Sequence, residues 1–290
     1  MKRILLTGST GFIGKNIAPI LAQKYQVDCF SRTELNLLDF FQVKKVVERN
    51  SYDAVLHFAN PCPYKNKTDS EERMTADSLR IFENLYCLRS MYGKMIYAGS
   101  GAEYNKINDI KNVKEDQCFD SIPYDSYGLA KYIMNQLAES STNVFNCRIF
   151  GCYGPGDFHT KFITHCIRSI IMDRDITIRK NCKFDYIHVY DLAKLIICMT
   201  ENKLPYHSYN ASGGNHKTLS AIAQIVKENM QSSKKIVLLS KETAKEYTAS
   251  NERIKNDFNF SYDFPLERGI KMQIEWEKSH WTDKTIFDGE

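Results

Sequence analysis

The fold is decided by residues 7–14, which read Thr7-Gly8-Ser9-Thr10-Gly11-Phe12-Ile13-Gly14. An apolar run precedes this segment, and a helical pattern follows it. Gly8 permits a tight turn, Gly11 lets the backbone approach a diphosphate, and Gly14 lets the helix pack closely on the strand. The diphosphate then rests on N–H groups at the positive end of the helix. The segment therefore predicts a dinucleotide-binding turn, and the alternative is a structural turn that binds nothing.

Apolar runs typical of buried strands alternate with helical patterns over the first 200 residues. The predicted strands are Lys2–Thr7, Val27–Ser31, Ala54–Phe58, Met95–Ala98 and Val144–Phe150. The predicted helices are Gly14–Gln23, Phe40–Arg49, Arg73–Met91 and Tyr124–Ala138. Parallel strands need right-handed crossover helices, so this alternation predicts an α/β fold, a doubly wound parallel sheet of the Rossmann type.

The pattern becomes less regular after residue 150, which suggests two domains. Residues 1–150 are predicted to form the dinucleotide-binding domain, and residues 151–290 a smaller, partly discontinuous α/β substrate lobe. Part of residues 185–205 is expected to return to the first domain. A ligand should lie between the two, beyond the carboxyl ends of the strands.

The composition excludes several classes of protein. With 43% hydrophobic residues and a formal net charge of +4, the 290-residue chain is unlike a disordered protein. The basic residues form no long run, so neither a nucleic acid nor a membrane is expected as a partner. No apolar stretch approaches the ~18–20 residues of a membrane span, and polar residues after Leu6 leave no signal-peptide core. We therefore expect a cytoplasmic protein.

The nine cysteines include no Cys-x-x-Cys pair. A chain of this length does not need disulfides to stabilise its core. We expect reduced thiols that act as small apolar side chains, and no metal site.

Tyr127 and Lys131 lie four residues apart in a predicted helix and hence share one face. A nearby ammonium favours the phenolate and lowers a tyrosine pKa, which is about 10 when unperturbed. Such a tyrosine can exchange a proton with an alcohol or a carbonyl near neutral pH. This spacing is common by chance in a chain with 17 tyrosines, but the pair follows the fourth predicted strand at the start of a helix. We predict that both residues are catalytic.

The Gly-x-x-Gly-x-x-Gly spacing resembles the extended short-chain dehydrogenase/reductase family, in which this turn carries the nicotinamide site. Residues 151–155, 184–191 and 266–270 are similar to further motifs of that family, with Gly151 replacing an asparagine and Phe184 a substrate-contacting arginine. The resemblance implies that Ser100, four residues before Tyr104, hydrogen-bonds the substrate oxygen. The alternative for Ser100 is a plain turn residue.

The loop after the second predicted strand bears on the choice of cofactor. An acidic side chain there would accept a hydrogen bond from the ribose 2′-hydroxyl of NAD and repel a 2′-phosphate. Ser31 and Arg32 can instead bind that phosphate, so NADP is expected. Glu34 argues in the other direction, and a solvated Arg32 is the alternative.

The resemblance extends the expected cofactor site beyond the glycine turn. Residues 32–39 are similar to a stretch of GDP-fucose synthases, which are NADP-dependent members of the family; this implies that Leu38 and Asp39 lie at the adenine. The backbone of Phe58 and Ala59 is expected to line the cofactor. The complete predicted set is Gly8, Ser9, Thr10, Gly11, Phe12, Ile13, Gly14, Ser31, Arg32, Leu38, Asp39, Phe58, Ala59, Tyr127 and Lys131.

Family members of this layout act on nucleotide-linked sugars through competing chemistries. The GDP-fucose synthases epimerise C3 and C5 with a cysteine and a histidine before they reduce C4. The corresponding positions here are Ala102 and Lys161, and His159 could restore only half of the pair. Ser100, Ala102 and Lys161 are the expected substrate-binding residues.

These arguments predict an NADPH-dependent reductase. Its reaction would reduce the C4 carbonyl of a nucleotide-linked, GDP-linked 4-keto deoxy-sugar, with Tyr127 as proton donor. The alternatives are a C4 epimerase, a bifunctional C3/C5 epimerase–reductase and a non-catalytic dinucleotide-binding sensor. The helical segments 73–91 and 124–138 have apolar faces that could pair across a two-fold axis, as in related dimers, so a homodimer is expected.

Overall fold

The computed structural model describes residues 1–61 and 69–282. In that part of the chain the strands are β1 (Arg3–Thr7), β2 (Gln26–Cys29), β3 (Ala54–His57), β4 (Lys94–Ser100), β5 (Ile110–Val113), β6 (Val144–Ile149), β7 (Gly151–Tyr153), β8 (Ile176–Ile178), β9 (Lys183–Phe184), β10 (Tyr186–His188), β11 (Ser208–Ala211), β12 (Lys217–Thr218), β13 (Ile236–Leu238) and β14 (Tyr247–Ala249). The α-helices are α1 (Phe12–Ala22), α2 (Phe40–Arg49), α3 (Met74–Tyr86), α4 (Ser126–Glu139), α5 (Phe162–Ile171), α6 (Val189–Glu201), α7 (Leu219–Asn229), α8 (Glu252–Phe258) and α9 (Leu266–His280). Short 3-10 helices cover Arg89–Met91, Gly101–Tyr104 and Glu115–Asp120.

Six parallel strands form the central sheet in the order β11-β6-β4-β3-β1-β2. Successive side chains of β1 enter two different cores, because Ile4 and Leu6 face one side and Leu5 faces the other. Helices α1 and α6 pack on the first side, and α2, α3 and α4 pack on the second. Both faces of the sheet are thus buried, which confirms the predicted doubly wound α/β fold.

The direction of strand addition reverses between β1 and β3. The chain places β2 on one side of β1 and then β3 on the other. At such a point the loops that follow neighbouring strands diverge and leave a crevice beyond the carboxyl ends of the strands. Thr7 at the end of β1 is paired with His57 at the end of β3, so the glycine-rich turn opens into this crevice.

The chain after β6, together with β5, builds smaller sheets, and it also forms a third apolar core. The largest of these sheets has the strand order β12-β9-β14-β5. Helices α5, α7 and α9 contribute Ile163, Ile222 and Ile270 to the third core. The chain returns to the central sheet through α6, which packs with α1, and through β11. The domain limits given above stay a prediction.

The helix expected over residues 73–91 is interrupted. Helix α3 ends at Tyr86, and a separate 3-10 helix follows. Leu88 N donates to the Leu85 carbonyl at 3.0 Å, and the buried Tyr92 hydroxyl donates to the same carbonyl at 2.8 Å. This capping ends the helix because the chain must turn to bury Tyr92 before β4.

The second strand also ends earlier than expected, at Cys29. Ser31 starts a turn in which its carbonyl accepts from Glu34 N at 3.2 Å and Leu35 N at 3.0 Å. Ser31 and Arg32 therefore lie in the loop after β2 and not in the strand.

Within residues 1–61 and 69–282, the eight cysteines all carry free thiols. The same residues contain no cluster of histidine, cysteine and acidic side chains able to hold a metal ion. None of the helices described is both long and apolar enough to cross a membrane.

Candidate active site

The three glycines of the turn after β1 have different surroundings. Gly8 has a φ of +78°, and a Cβ there would lie 2.5 Å from Ala59 N and 2.6 Å from the Phe58 carbonyl carbon. A Cβ on Gly14 would overlap the Gly8 carbonyl. A Cβ on Gly11 would meet only the Gly8 oxygen, at 3.4 Å. Gly8 and Gly14 are therefore required by the fold itself, whereas Gly11 keeps a surface open.

That open surface covers the N-terminus of α1. Gly11 is the N-cap residue; no side chain caps the helix, and its first turn contains no acidic residue. The first N–H groups of a helix have no partner within it and favour an anion. Ser9, Thr10, Phe12 and Ile13 surround this end at partly or fully exposed positions. The turn thus fits the diphosphate of a dinucleotide.

Two carboxylates accept hydrogen bonds from Ser31 and Arg32, the residues predicted to bind a 2′-phosphate. Glu34 Oε2 accepts from Ser31 N at 2.8 Å and from Ser31 Oγ at 2.7 Å. The backbone hydrogen bond from Ser31 holds the pKa of Glu34 below its usual value. Arg32 makes a two-pronged ion pair with Asp69, at 2.7 and 3.0 Å. Glu34 can accept a hydrogen bond from a ribose hydroxyl. The loop can instead bind a phosphate if the two carboxylates move away from Ser31 and Arg32.

The residues expected at the adenine lie at the start of α2. Asp39 is the N-cap: its Oδ1 accepts from Phe41 N at 2.9 Å and Gln42 N at 3.2 Å. Leu38 directly before it has a largely exposed side chain. Asp39 therefore has a structural task that the sequence analysis did not assign to it.

Ser100, Tyr127 and Lys131 are carried by two elements, β4 and α4, that pack together at the carboxyl end of β4. Ser100 is the last residue of that strand, and α4 carries the other two. A Cβ on Gly128 would lie 2.7 Å from Ala102 O, so the first turn of α4 lies directly on the 3-10 helix after Ser100. Lys131 Nζ donates to Ala98 O at 2.9 Å and lies 5.8 Å from the centre of the Tyr127 ring.

The Lys131 ammonium is buried. Burial lowers the pKa of Lys131 to about 8, and the negative charge of Glu103 partly offsets this effect. His57, on the neighbouring strand, has a pKa lowered to about 3, by burial and then by the charge of Lys131. Its Nδ1 is 2.8 Å from Thr7 Oγ1. His57 is thus neutral near pH 7, whereas the pKa of Lys131 lies at about 8.

A buried ion pair between Glu103 and Arg148 contacts the backbone of Ser100. Glu103 Oε1 accepts from Ser100 N at 2.8 Å, and Glu103 Oε2 accepts from Arg148 Nε at 2.7 Å. Both charged side chains are fully buried. Ala102 N in turn donates to Ser100 Oγ at 3.2 Å, which completes a capping box. This network fixes the backbone and the side chain of Ser100.

Residues 4–212 of the chain match the profile of one protein family. The chain belongs to the NAD dependent epimerase/dehydratase family. Its expected place in the extended short-chain dehydrogenase/reductase class is thereby confirmed.

Solved structures of epimerase/dehydratase-type enzymes share the fold over nearly the whole chain. A GDP-L-fucose synthetase from Naegleria fowleri bound to NADP has a TM-score of 0.80 and 19% identity over 96% of this chain and 93% of its own. The dTDP-glucose 4,6-dehydratase from Bacillus anthracis in complex with NAD has a TM-score of 0.81 and 16% identity, covering 97% of both chains. The UDP-N-acetylglucosamine 4-epimerase from Methanobrevibacter ruminantium has a TM-score of 0.81 and 20% identity over 97% of this chain and 99% of its own.

Two positions expected at the substrate differ in their surroundings. Ala102 is fully buried inside the 3-10 helix after β4. Lys161 is the exposed N-cap residue of α5, and its N–H donates to Phe158 O at 2.9 Å. Neither a methyl group nor this exposed ammonium provides the thiol–imidazole pair of a C3/C5 epimerase.

The sequence analysis missed several residues at this site. Glu103 was detectable, because a serine followed three residues later by glutamate is the signature of a capping box. Asp69 and Tyr247 had no such signal, since each reaches the site from a distant part of the chain.

Proposed function

We propose that the protein reduces the C4 carbonyl of a nucleotide-linked 4-keto deoxy-sugar with NADPH. The observation that carries this proposal is that Lys131, which lies 5.8 Å from the Tyr127 ring centre, donates to Ala98 O near the end of β4, the strand that Ser100 closes. Family membership supplies the general chemistry, and the three side chains supply the groups that a carbonyl reduction needs.

The bound nicotinamide would supply the hydride. Tyr127 gives its hydroxyl proton to the oxygen that becomes the alcohol, and Ser100 donates a hydrogen bond to the same oxygen. The ammonium of Lys131 stabilises the phenolate that Tyr127 leaves behind. Because Lys131 is buried, its charge acts on the neighbouring phenol through a medium of low polarity.

The nucleotide-linked substrate is proposed from the relatives. A GDP-linked, a dTDP-linked and a UDP-linked sugar are named among the structures with this fold. GDP is our choice because of the similarity of residues 32–39 to GDP-fucose synthases. Strong C3/C5 epimerisation is not proposed, since Ala102 cannot transfer a proton.

NADP is proposed as the cofactor on the strength of Arg32 and the Ser31 hydroxyl. On binding, the 2′-phosphate would replace Asp69 as the partner of the Arg32 guanidinium. It would also replace Glu34 as the acceptor for the N–H and the hydroxyl of Ser31. A second candidate, a C4 epimerase that keeps NAD bound, is favoured by one specific observation, the position of the Glu34 carboxylate on Ser31.

The deciding experiment mixes the protein with NADPH or NADH and 4-keto deoxy-sugars linked to GDP, dTDP, UDP or CDP. The proposal expects stoichiometric loss of absorbance at 340 nm, faster with NADPH and with the GDP-linked sugar. Interconversion of C4 epimers without net cofactor consumption would establish the epimerase instead. Cofactor binding without turnover of any 4-keto sugar would identify a sensor.

A homodimer in the cytoplasm completes the proposal. The pairing surface would be formed by α3 and α4, which pack side by side in one protomer; Tyr86 Oη, for example, donates to Leu137 O at 3.1 Å. Sedimentation at micromolar concentration distinguishes a dimer from a monomer.

A further inference from the structure

A tyrosine from near the C-terminal end of the chain reaches the catalytic serine. Tyr247 begins β14, which lies between β5 and β9 in the small four-stranded sheet. Asp185 N donates to Tyr247 O at 3.0 Å, and Ile110 N donates to Glu246 O at 3.0 Å. The backbone that carries Tyr247 is therefore bonded on both sides, and the side chain starts from a fixed position.

The Tyr247 ring is held by two phenylalanines. Its centre lies 4.9 Å from that of Phe150 and 4.8 Å from that of Phe184, and the second pair is stacked. The hydroxyl end lies against Gly101, where any Cβ would overlap it. This contact explains the glycine after Ser100, and it places the phenol next to the serine.

The phenol is able to donate in this position. Burial raises the pKa of Tyr247 well above its usual value, so the hydroxyl keeps its proton. The side chain of Ser100 lies within hydrogen-bonding reach of the hydroxyl, and the charge state of Tyr127 also affects it. Tyr247 thus lies next to Ser100 and near enough to Tyr127 for an electrostatic effect.

The hydrogen-bonding capacity of Ser100 is limited. A serine hydroxyl has one proton to donate and two lone pairs to accept with. Ala102 N takes one lone pair at 3.2 Å. If Tyr247 takes the other, the serine can only donate, and its proton points away from both donors. A substrate oxygen in the crevice is then its natural acceptor.

We propose that Tyr247 is a positioning residue of the active site, whose hydroxyl donates to Ser100 Oγ and directs the serine proton to the substrate oxygen. The inference rests on the proposed function, because that function gives Ser100 its contact with the substrate. It adds a residue from β14 to a site otherwise built from β1, β4 and their neighbouring helices.

The first test is Tyr247→Phe, which keeps the ring between Phe150 and Phe184 and removes only the hydroxyl. We expect kcat for the 4-keto sugar to fall about 3- to 10-fold, the range of one hydrogen bond, with NADPH affinity unchanged. Tyr186→Phe is the matched control, since its ring also lies 4.9 Å from that of Phe184 and Ser100 is not among the groups that act on its hydroxyl. An equal loss of kcat in both variants would overturn the inference.

The second test repeats Tyr247→Phe in a Ser100→Ala protein. If Tyr247 acts through Ser100, its removal has no further effect on kcat there. If Tyr247→Phe lowers kcat by the same factor in both backgrounds, Tyr247 acts independently of Ser100. The inference then fails, while the proposed function stands. If Ser100→Ala leaves kcat unchanged, the proposed role of Ser100 fails, and the inference fails with it.

A third measurement needs no substrate. Urea midpoints are compared for the wild type, the two single variants and the double variant. A hydrogen bond between the side chains makes the shift caused by Tyr247→Phe smaller in the Ser100→Ala protein than in the wild type. Additive shifts would overturn the contact even if no sugar were turned over.

Discussion

Tyr127 and Lys131 perform separate tasks from adjacent turns of α4, and substitution can separate them. Tyr127→Phe removes the transferred proton but keeps the ring beside the ammonium. We expect turnover to fall by a factor of about 100 or more, while NADPH affinity stays nearly the same. Single-turnover absorbance at 340 nm and a fluorescence titration of NADPH measure the two quantities. Near-normal turnover in this variant would remove the proposed mechanism.

The pKa of Lys131 sets an upper pH limit for activity. Below a pH of about 8 the ammonium is charged; as the pH rises through that value the charge is lost, and with it the support for the phenolate. Glu103 raises this pKa, so Glu103→Gln lowers it further. We expect the alkaline limb of the kcat/KM profile to lie near pH 8 and to move to lower pH in the variant.

Glu103→Gln also removes the partner of a buried guanidinium, so its effects on stability and on pH must be measured separately. Loss of one side of a buried ion pair lowers the free energy of unfolding by about 3–5 kcal/mol. Profiles are therefore recorded at a temperature at which circular dichroism shows a folded protein. Glu115→Gln is the control, because this buried carboxylate accepts from Asn210 N at 2.9 Å and is not among the charges that act on Lys131. A limb that stays in place in Glu103→Gln would refute the electrostatic coupling.

Arg32 and Glu34 should change cofactor preference in opposite directions. Arg32→Ala removes a charge-assisted contact to a 2′-phosphate, so NADPH affinity should fall about 10- to 100-fold and NADH affinity much less. Glu34→Gln removes a negative charge from the same loop and should favour NADPH over NADH. Dissociation constants for both cofactors give the ratio directly. Equal changes for the two cofactors in Arg32→Ala would refute the proposed NADP preference.

Single residues were predictable where the signal is local. Tyr127 and Lys131 share one face of a helix, and residues 7–14 form one turn, so their spacing and their position after a predicted strand indicate them together. The ion pair of Arg32 with Asp69 was not predictable, because it joins loops that follow different strands. The sequence indicated candidate groups for the site but not the carboxylates that pair with them.

At the scale of elements, substitutions in the turn between β1 and α1 should separate effects on stability from effects on cofactor binding. Gly14→Ala places a Cβ on the Gly8 carbonyl, which cannot move freely because it is backbone. We expect a loss of about 1–3 kcal/mol in the free energy of unfolding. Gly11→Ala meets no atom closer than 3.4 Å, at a φ of −78° that alanine adopts easily. Its stability should change by less than about 1 kcal/mol.

The affinity for the cofactor should nevertheless fall in Gly11→Ala. Its methyl group would enter the space above the N-terminus of α1, where the diphosphate is expected, and we predict at least a 10-fold loss of affinity. Thermal unfolding and a cofactor titration on the same samples measure both effects. Wild-type affinity in Gly11→Ala would show that no diphosphate rests on this turn.

The ends of elements were less predictable than their order. Helix α2 was predicted at its observed limits from the helical spacing of its apolar residues, and the side-chain cap that Asp39 provides was not part of that prediction. The helix predicted over 73–91 was too long, because its end depends on a hydroxyl from the buried Tyr92. A tertiary contact of this kind leaves no periodic signal in the sequence.

At the scale of the whole molecule, the parallel sheet followed from strand–helix alternation, but the assembly of the later segments did not. Strands β12, β9, β14 and β5 form one sheet although they come from four separate parts of the chain. Two of these strands have only two residues each, too few for a period to be read. Short strands of this kind are specified by their partners, as the position of Tyr247 illustrates.

Asp185 is the group that joins these later segments. This fully buried carboxylate accepts from Ser212 Oγ at 2.7 Å, Ala249 N at 2.9 Å and His216 N at 2.9 Å. Asp185→Asn replaces one accepting oxygen by an NH2 group, so at least one of these donors loses its partner. We expect the free energy of unfolding to fall by about 1–3 kcal/mol, measured by urea denaturation. Because β14 depends on this carboxylate, kcat should fall as well.

The shape of that urea transition tests how the molecule is joined. Ile254 and Phe260, from the C-terminal part of the chain, are buried in the same core as Ile4 of β1. The loss of Asp185 should therefore lower the midpoint of one cooperative transition and leave its slope unchanged. Asp263→Asn is the control, because its carboxylate is half exposed and pairs with Lys194 at the surface, where such a pair contributes at most about 1 kcal/mol. A second transition in Asp185→Asn would mean that the later segments unfold independently of the central sheet.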